Sequence, residues 1–93
     1  AARRSFEVAL EIHEPNPHAH AELARERMRA GDGAAAVQHA ARAVALRRQR
    51  ARYHVLLGDA RRVAGEQNAA RRAYEQALRL DPDNAAASRA LGR

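Results

Sequence analysis

Gly31 and Gly65 stand in matching surroundings 34 positions apart, and this spacing constrains the fold more than any other feature of the chain. Superposing residues 17–50 on 51–84 makes nine positions identical. His20, Leu23, Arg27, Ala30, Gly31, Ala35, Ala36, Ala43 and Leu46 recur as His54, Leu57, Arg61, Ala64, Gly65, Ala69, Ala70, Ala77 and Leu80. Composition alone would give about four matches in so alanine-rich a chain. The matches also fall on the turn glycine and on small residues where two helices have to come close, and Ala24 answers Gly58 as a further small pair.

Apolar residues on either side of each glycine follow helical spacing, so each repeating unit reads as two amphipathic helices joined by a left-handed glycine turn. The first pair is expected over about Pro17–Ala30 and Ala34–Arg47, and the second over about Ala51–Ala64 and Asn68–Leu80. Asn16 and Asp32 are the expected N-caps, with Pro17 as the first residue of its helix. Residues 2–13 carry Ala2, Phe6, Ala9, Leu10 and Ile12, each 68 positions before Ala70, Tyr74, Ala77, Leu78 and Leu80. They read as a half repeat, closed by Pro15. Asp81-Pro82-Asp83-Asn84 ends the last pair, and residues 85–93 read as the start of a further or capping helix, with Leu91-Gly92 one repeat period past Leu57-Gly58. The basic run RRQRAR, residues 47–52, replaces that Asp-Pro between the two units.

Leu57-Gly58, Gly65, Ala70, Tyr74, Ala77, Leu80 and Pro82 fall at the spacings of the tetratricopeptide repeat, and the chain resembles that family over residues 2–92. The resemblance implies an all-α, right-handed superhelical solenoid of antiparallel helix hairpins. Residues 1–93 would form one domain, with repeats at 17–50 and 51–84. It also implies a non-catalytic scaffold for protein–protein interaction. Departures from the family pattern lie in the core: His20 and His54 take the usual tryptophan's place, Arg27 and Arg61 the tyrosine's, and Ala40 that of a second-helix aromatic. Tyr53 is the expected compensating filler. Gly58, Ala70 and Ala77 are the expected points of close helix approach.

With 93 residues the core is thin, burying about 60–65% of the unfolded surface. Alanine supplies more than half of the 46% hydrophobic content, and the three aromatics are Phe6, Tyr53 and Tyr74. The absence of cysteine excludes disulfides, thiolate metal sites and thiol nucleophiles, and fits a reducing, cytoplasmic location. No apolar run approaches the roughly 18 residues of a membrane span. The N-terminus lacks a signal-peptide core. The pattern begins and ends in mid-repeat, which reads as a piece of a longer, arginine-rich bacterial protein.

The net charge is +6, and all seventeen basic residues are arginine. Arginine favours bidentate carboxylate or phosphate contacts. In the family the first helix of each repeat lines a concave groove that takes a partner peptide. The matching face here holds His18, Ala21, Arg25, Met28 and Arg29, then Arg52, Val55, Asp59 and Arg62, then Arg89. An acidic peptide is the expected partner, with Arg25, Arg29, Arg62 and Arg89 taking carboxylates and Met28 and Val55 making apolar contacts. A solvated inner face explains the same arginines. The lysine and asparagine clamp by which some relatives hold a C-terminal carboxylate is absent, its places being taken by Ala21, Arg25, Val55 and Asp59.

Two alternatives stay open. One is homo-oligomerisation through the array's ends, at Phe6, Ile12 and Leu91. The other is nucleic-acid binding through Arg47, Arg48, Arg50 and Arg52 with Arg61, Arg62, Arg71 and Arg72, although Tyr53 alone offers a stacking ring nearby. His18 and His20 point about 200° apart on a helix and have no ligand-spaced partners, so neither a metal nor another cofactor is expected. His20 and His54 are expected half-buried in the core, His13 and His39 exposed. Ser5 and Ser88 lack a histidine and carboxylate beside them, so no enzyme is expected.

Overall fold

The computed structural model describes residues 16–93, and the readings at 2–13, Pro15, Phe6, Ile12 and His13 lie outside them. Five helices follow in order: α1 (Pro17–Arg29), α2 (Gly33–Leu46), α3 (Ala51–Val63), α4 (Gln67–Leu80) and α5 (Ala85–Ala90). The bounds of α3 and α4 lie 34 positions beyond those of α1 and α2, and α5 starts 34 beyond α3. All are α-helices packed antiparallel, each against the next in sequence, and α1 also meets α3.

Local chemistry accounts for the helix ends. Asn16 accepts from the His18 and Ala19 amides, Asp32 from Ala35, and Asn84 from Ala87. Each thereby satisfies a donor that the first turn leaves open. At the other ends, Gly31, Gly65 and Gly92 take positive φ of 79°, 83° and 74°. There the Asp32, Glu66 and Arg93 amides reach back to the Arg27, Arg61 and Ser88 carbonyls at 2.8–2.9 Å. This pairing closes three helices in the same way and suits glycine, which carries no Cβ penalty in the left-handed region.

Several bounds differ by one residue from the sequence reading: α1 ends at Arg29, α2 runs from Gly33 to Leu46, α3 ends at Val63 and α4 starts at Gln67. α2 starts at Gly33, not Ala34, and a Cβ on Gly33 would stand 2.5 Å from the Ala64 Cα. The glycine therefore lets the start of α2 meet the end of α3. Gly92 also parts from its counterpart Gly58. Gly58 lies inside α3, whereas Gly92 ends α5 after six residues.

The core has two parts. The first gathers Ala21, Ala24, Ala36, Ala40, Ala43, Tyr53, Leu56, Leu57, Ala60 and Ala73, and the second Ala70, Tyr74, Ala77 and Ala87. Ala70, Ala77 and Gly58 are buried as expected. So is Tyr53, which fills the first part beside Ala40. Leu91, expected at an open end, is instead half-buried against the second part. Among the described residues Val63 is the one large hydrophobic side chain that is exposed.

The histidines expected in tryptophan's place are buried more deeply than half, at 7% exposure for His20 and 9% for His54. His54 Nε2 donates to the Arg48 carbonyl at 2.9 Å. His39, expected to be exposed, is half-buried because its ring stacks on His20 with centroids 5.7 Å apart, and their Nδ1 atoms are 3.5 Å apart. Arg61, in tyrosine's place, donates to the Ala69 carbonyl of α4. No described helix is long and apolar enough to cross a membrane.

Candidate functional site

The first helix of each hairpin and the start of α5 share one face, and a depression crosses it. Arg25 of α1, Arg52, Val55, Leu56 and Asp59 of α3, and Asn84 and Ala86 at the start of α5 line it. Its volume is about 210 Å³. That is below the roughly 300–1,000 Å³ of small-molecule sites. Val55, Leu56 and Ala86 give it an apolar floor, while Arg25 and Arg52 bring guanidinium groups to its rim.

The structure thus brings together Arg25, Arg52, Val55 and Asp59 from the face expected to bind. Leu56, Asn84 and Ala86 join them without having been expected. Ala86 was legible, since it stands one repeat period after Arg52 and two after His18. Asn84 was hidden by its second role as the N-cap of α5, and Leu56 by its burial, at 4% exposure.

The other expected residues divide. Ala21 is not on the surface, being 1% exposed within the core. Met28 is half-buried and packs against the first core cluster, so part of its apolar surface is already used. His18, Arg29 and Arg89 are exposed and lie outside the depression. Arg62 lines a separate hollow with Gln67, Ala70, Arg71, Tyr74, Ala90 and Leu91.

Asp59 has a structural partner as well. The Tyr74 hydroxyl donates to its Oδ1 at 2.5 Å, and the Arg62 guanidinium lies 3.8 Å from the same oxygen and 5.9 Å from the Tyr74 ring centre. Burial, followed by this hydrogen bond and the Asp59 charge, pushes the Tyr74 hydroxyl well above its ordinary range, with Arg62 opposing. Tyr74 therefore stays a donor, and Asp59 ties α3 to α4. Arg25 is paired along its own helix with Glu22 at 2.6 Å, both side chains being largely exposed. Such an exposed pair contributes little to stability. Arg52 stacks its guanidinium 5.2 Å from the Tyr53 ring centre. Among the described residues no group of three histidine, cysteine, aspartate or glutamate side chains is placed to hold a metal ion.

Residues 58–93, from the middle of α3 to the end of α5, match the sequence profile of the TPR repeat family. No curated protein matches the chain. TPR repeats are typically non-catalytic binding modules for other proteins. Residues 58–93 thus carry a TPR repeat, and the five antiparallel helices have the architecture of a TPR domain.

Proposed function

We propose that this chain is a non-catalytic interaction module that takes an acidic segment of a partner protein across the face of α1, α3 and the start of α5. The supporting observation is the depression itself, where two guanidinium groups from different helices flank an apolar floor. Guanidinium groups take carboxylates bidentately, and small apolar residues beside them accept the aliphatic part of the same peptide. Arg25 supplies the first carboxylate site by leaving Glu22. Arg52 supplies the second. Arg29, Arg62 and Arg89 surround the face and steer an acidic chain toward it.

The test is binding of acidic peptides to wild type and to Arg25→Glu plus Arg52→Glu, read by fluorescence anisotropy. The double variant should lose at least about tenfold in affinity, since removing charge-assisted contacts usually costs more than that. Val55→Asp should weaken binding as well, by putting a carboxylate in the lining of the depression. Equal affinity of the wild type and the double variant sinks this assignment.

A further inference from the structure

Two loops on one edge of the molecule carry opposite charge at equivalent positions. Residues 47–50, Arg-Arg-Gln-Arg, join α2 to α3, and residues 81–84, Asp-Pro-Asp-Asn, join α4 to α5 one repeat period later. The two share a backbone shape: the Arg50 amide donates to the Arg47 carbonyl at 3.2 Å, and the Asn84 amide to the Asp81 carbonyl at 3.0 Å. Each is also held from within. His54 fixes the Arg48 carbonyl, and the Asp81 carboxylate accepts from the Asp83 amide. Arg50 and Asp81 line one shallow hollow with Gln49, Ala51, Arg52, Leu80 and Asn84, yet no ion pair joins the loops among the described residues.

Arg47 at the C-cap of α2 and Asp83 just before α5 suit the helix dipole, whereas Arg50 and Asp81 run against local helix chemistry. Positions 16, 50 and 84 precede α1, α3 and α5, and the first and last are capping asparagines whereas Arg50 caps nothing. A positive charge at a helix start and a negative one at the C-cap of α4, Asp81, both oppose the helix dipole. Residues that break a local rule in this way are expected where another demand is served.

We infer that this edge is a self-complementary docking surface whose occupant is a second copy of the same chain. A patch with a basic half beside an acidic half matches itself when turned about a two-fold axis between the halves. Arg47, Arg48 and Arg50 of one copy then face Asp81 and Asp83 of the other, and the reverse. Gln49 and Leu80 lie between. Pairs of exposed charges contribute little and are screened by salt, so the dimer is weak and salt-sensitive. This edge adjoins the peptide face, Arg52 and Asn84 lining both hollows, but its charges Arg47, Arg48, Arg50, Asp81 and Asp83 are not among the residues of the depression, so changing them tests this inference separately.

The test uses sedimentation equilibrium of the 93-residue chain. In roughly 20 mM salt, where exposed charges are poorly screened, wild type should approach the dimer mass with rising concentration; in about 0.5 M salt it should remain monomeric. An all-acidic edge (Arg47→Asp, Arg48→Asp, Arg50→Asp) and an all-basic edge (Asp81→Arg, Asp83→Arg) should each be monomeric alone. Their equimolar mixture should form a heterodimer, because opposite edges now meet. A monomeric wild type at low salt, a monomeric mixture, or either variant associating as tightly as wild type overturns the inference. Circular dichroism checks that each variant is helical. If one fails to fold, the neutral sets Arg47→Gln, Arg48→Gln, Arg50→Gln and Asp81→Asn, Asp83→Asn replace the reversals. Each neutral set should weaken self-association at least about tenfold, and unchanged association overturns the inference equally.

Discussion

Gly58 lies against the ring of Tyr74 so closely that a Cβ added to the glycine would stand 2.7 Å from the tyrosine Cε1. The ring has no room to retreat, being 3% exposed and tied through its hydroxyl to Asp59 on the same helix as Gly58. In an open helix, Gly→Ala would gain about 1 kcal/mol from propensity. Here the overlap costs more.

Gly58→Ala is therefore expected to destabilise the chain by about 1–3 kcal/mol, the usual range for overpacking. Adding Tyr74→Phe should relieve part of that loss by freeing the ring, at the expense of about 1 kcal/mol for the hydrogen bond itself. Urea denaturation of the two single variants and the double variant measures the coupling, and strictly additive changes would contradict the steric account.

The two parts of the core solve one packing problem in opposite ways. Ala40 and Tyr53 occupy in the first part the positions that Tyr74 and Ala87 occupy in the second, one repeat period on. One junction takes its tyrosine from the following first helix, the other from the second helix. Tyr53→Ala alone should cost about 3–5 kcal/mol, like other aromatic truncations in cores. The triple change Ala24→Gly, Ala40→Tyr, Tyr53→Ala copies the second junction into the first. It should be more stable than Tyr53→Ala alone, as thermal unfolding would show. A triple variant less stable than Tyr53→Ala would mean that the junctions are not interchangeable.

Arg50 stands where Asn16 and Asn84 cap their helices. Arg50→Asn should give α3 the missing side-chain acceptor and raise stability by about 0.5–2 kcal/mol, read by urea denaturation at high salt where self-association is suppressed. An unchanged or lower midpoint would show that the Arg50 backbone is not positioned for capping.

His39 has a pKa below its ordinary 6.5, first because burial desolvates it and then because Arg27 and Arg42 repel its proton. The folded chain consequently binds that proton less readily than the unfolded chain does. Stability should be full above pH 6.5, fall as the pH drops below it, and level off once the pH passes the lowered folded value. His39→Gln should flatten this part of the profile. Denaturation midpoints of both proteins between about pH 7.5 and 5 supply the comparison, and parallel profiles would remove His39 as the cause.

The amino-acid sequence by itself determined the helices, their turns and the repeat period. These depend on neighbours within a few positions: an asparagine or aspartate that can reach the next turn's amides, a glycine that tolerates positive φ, and apolar residues recurring every 3.6 positions. More than half of the candidate site was legible for the same reason, because Arg25, Arg52, Val55 and Asp59 follow from the face of each first helix. Tertiary structure decided the rest. The hold of Tyr74 on Asp59, the half-burial of His39 beside His20 and the seating of Gly33 on Ala64 each join side chains or backbone from different helices. Such pairs form only when the helices fix the distances between them, and spacing along one strand of sequence carries no record of what will stand opposite.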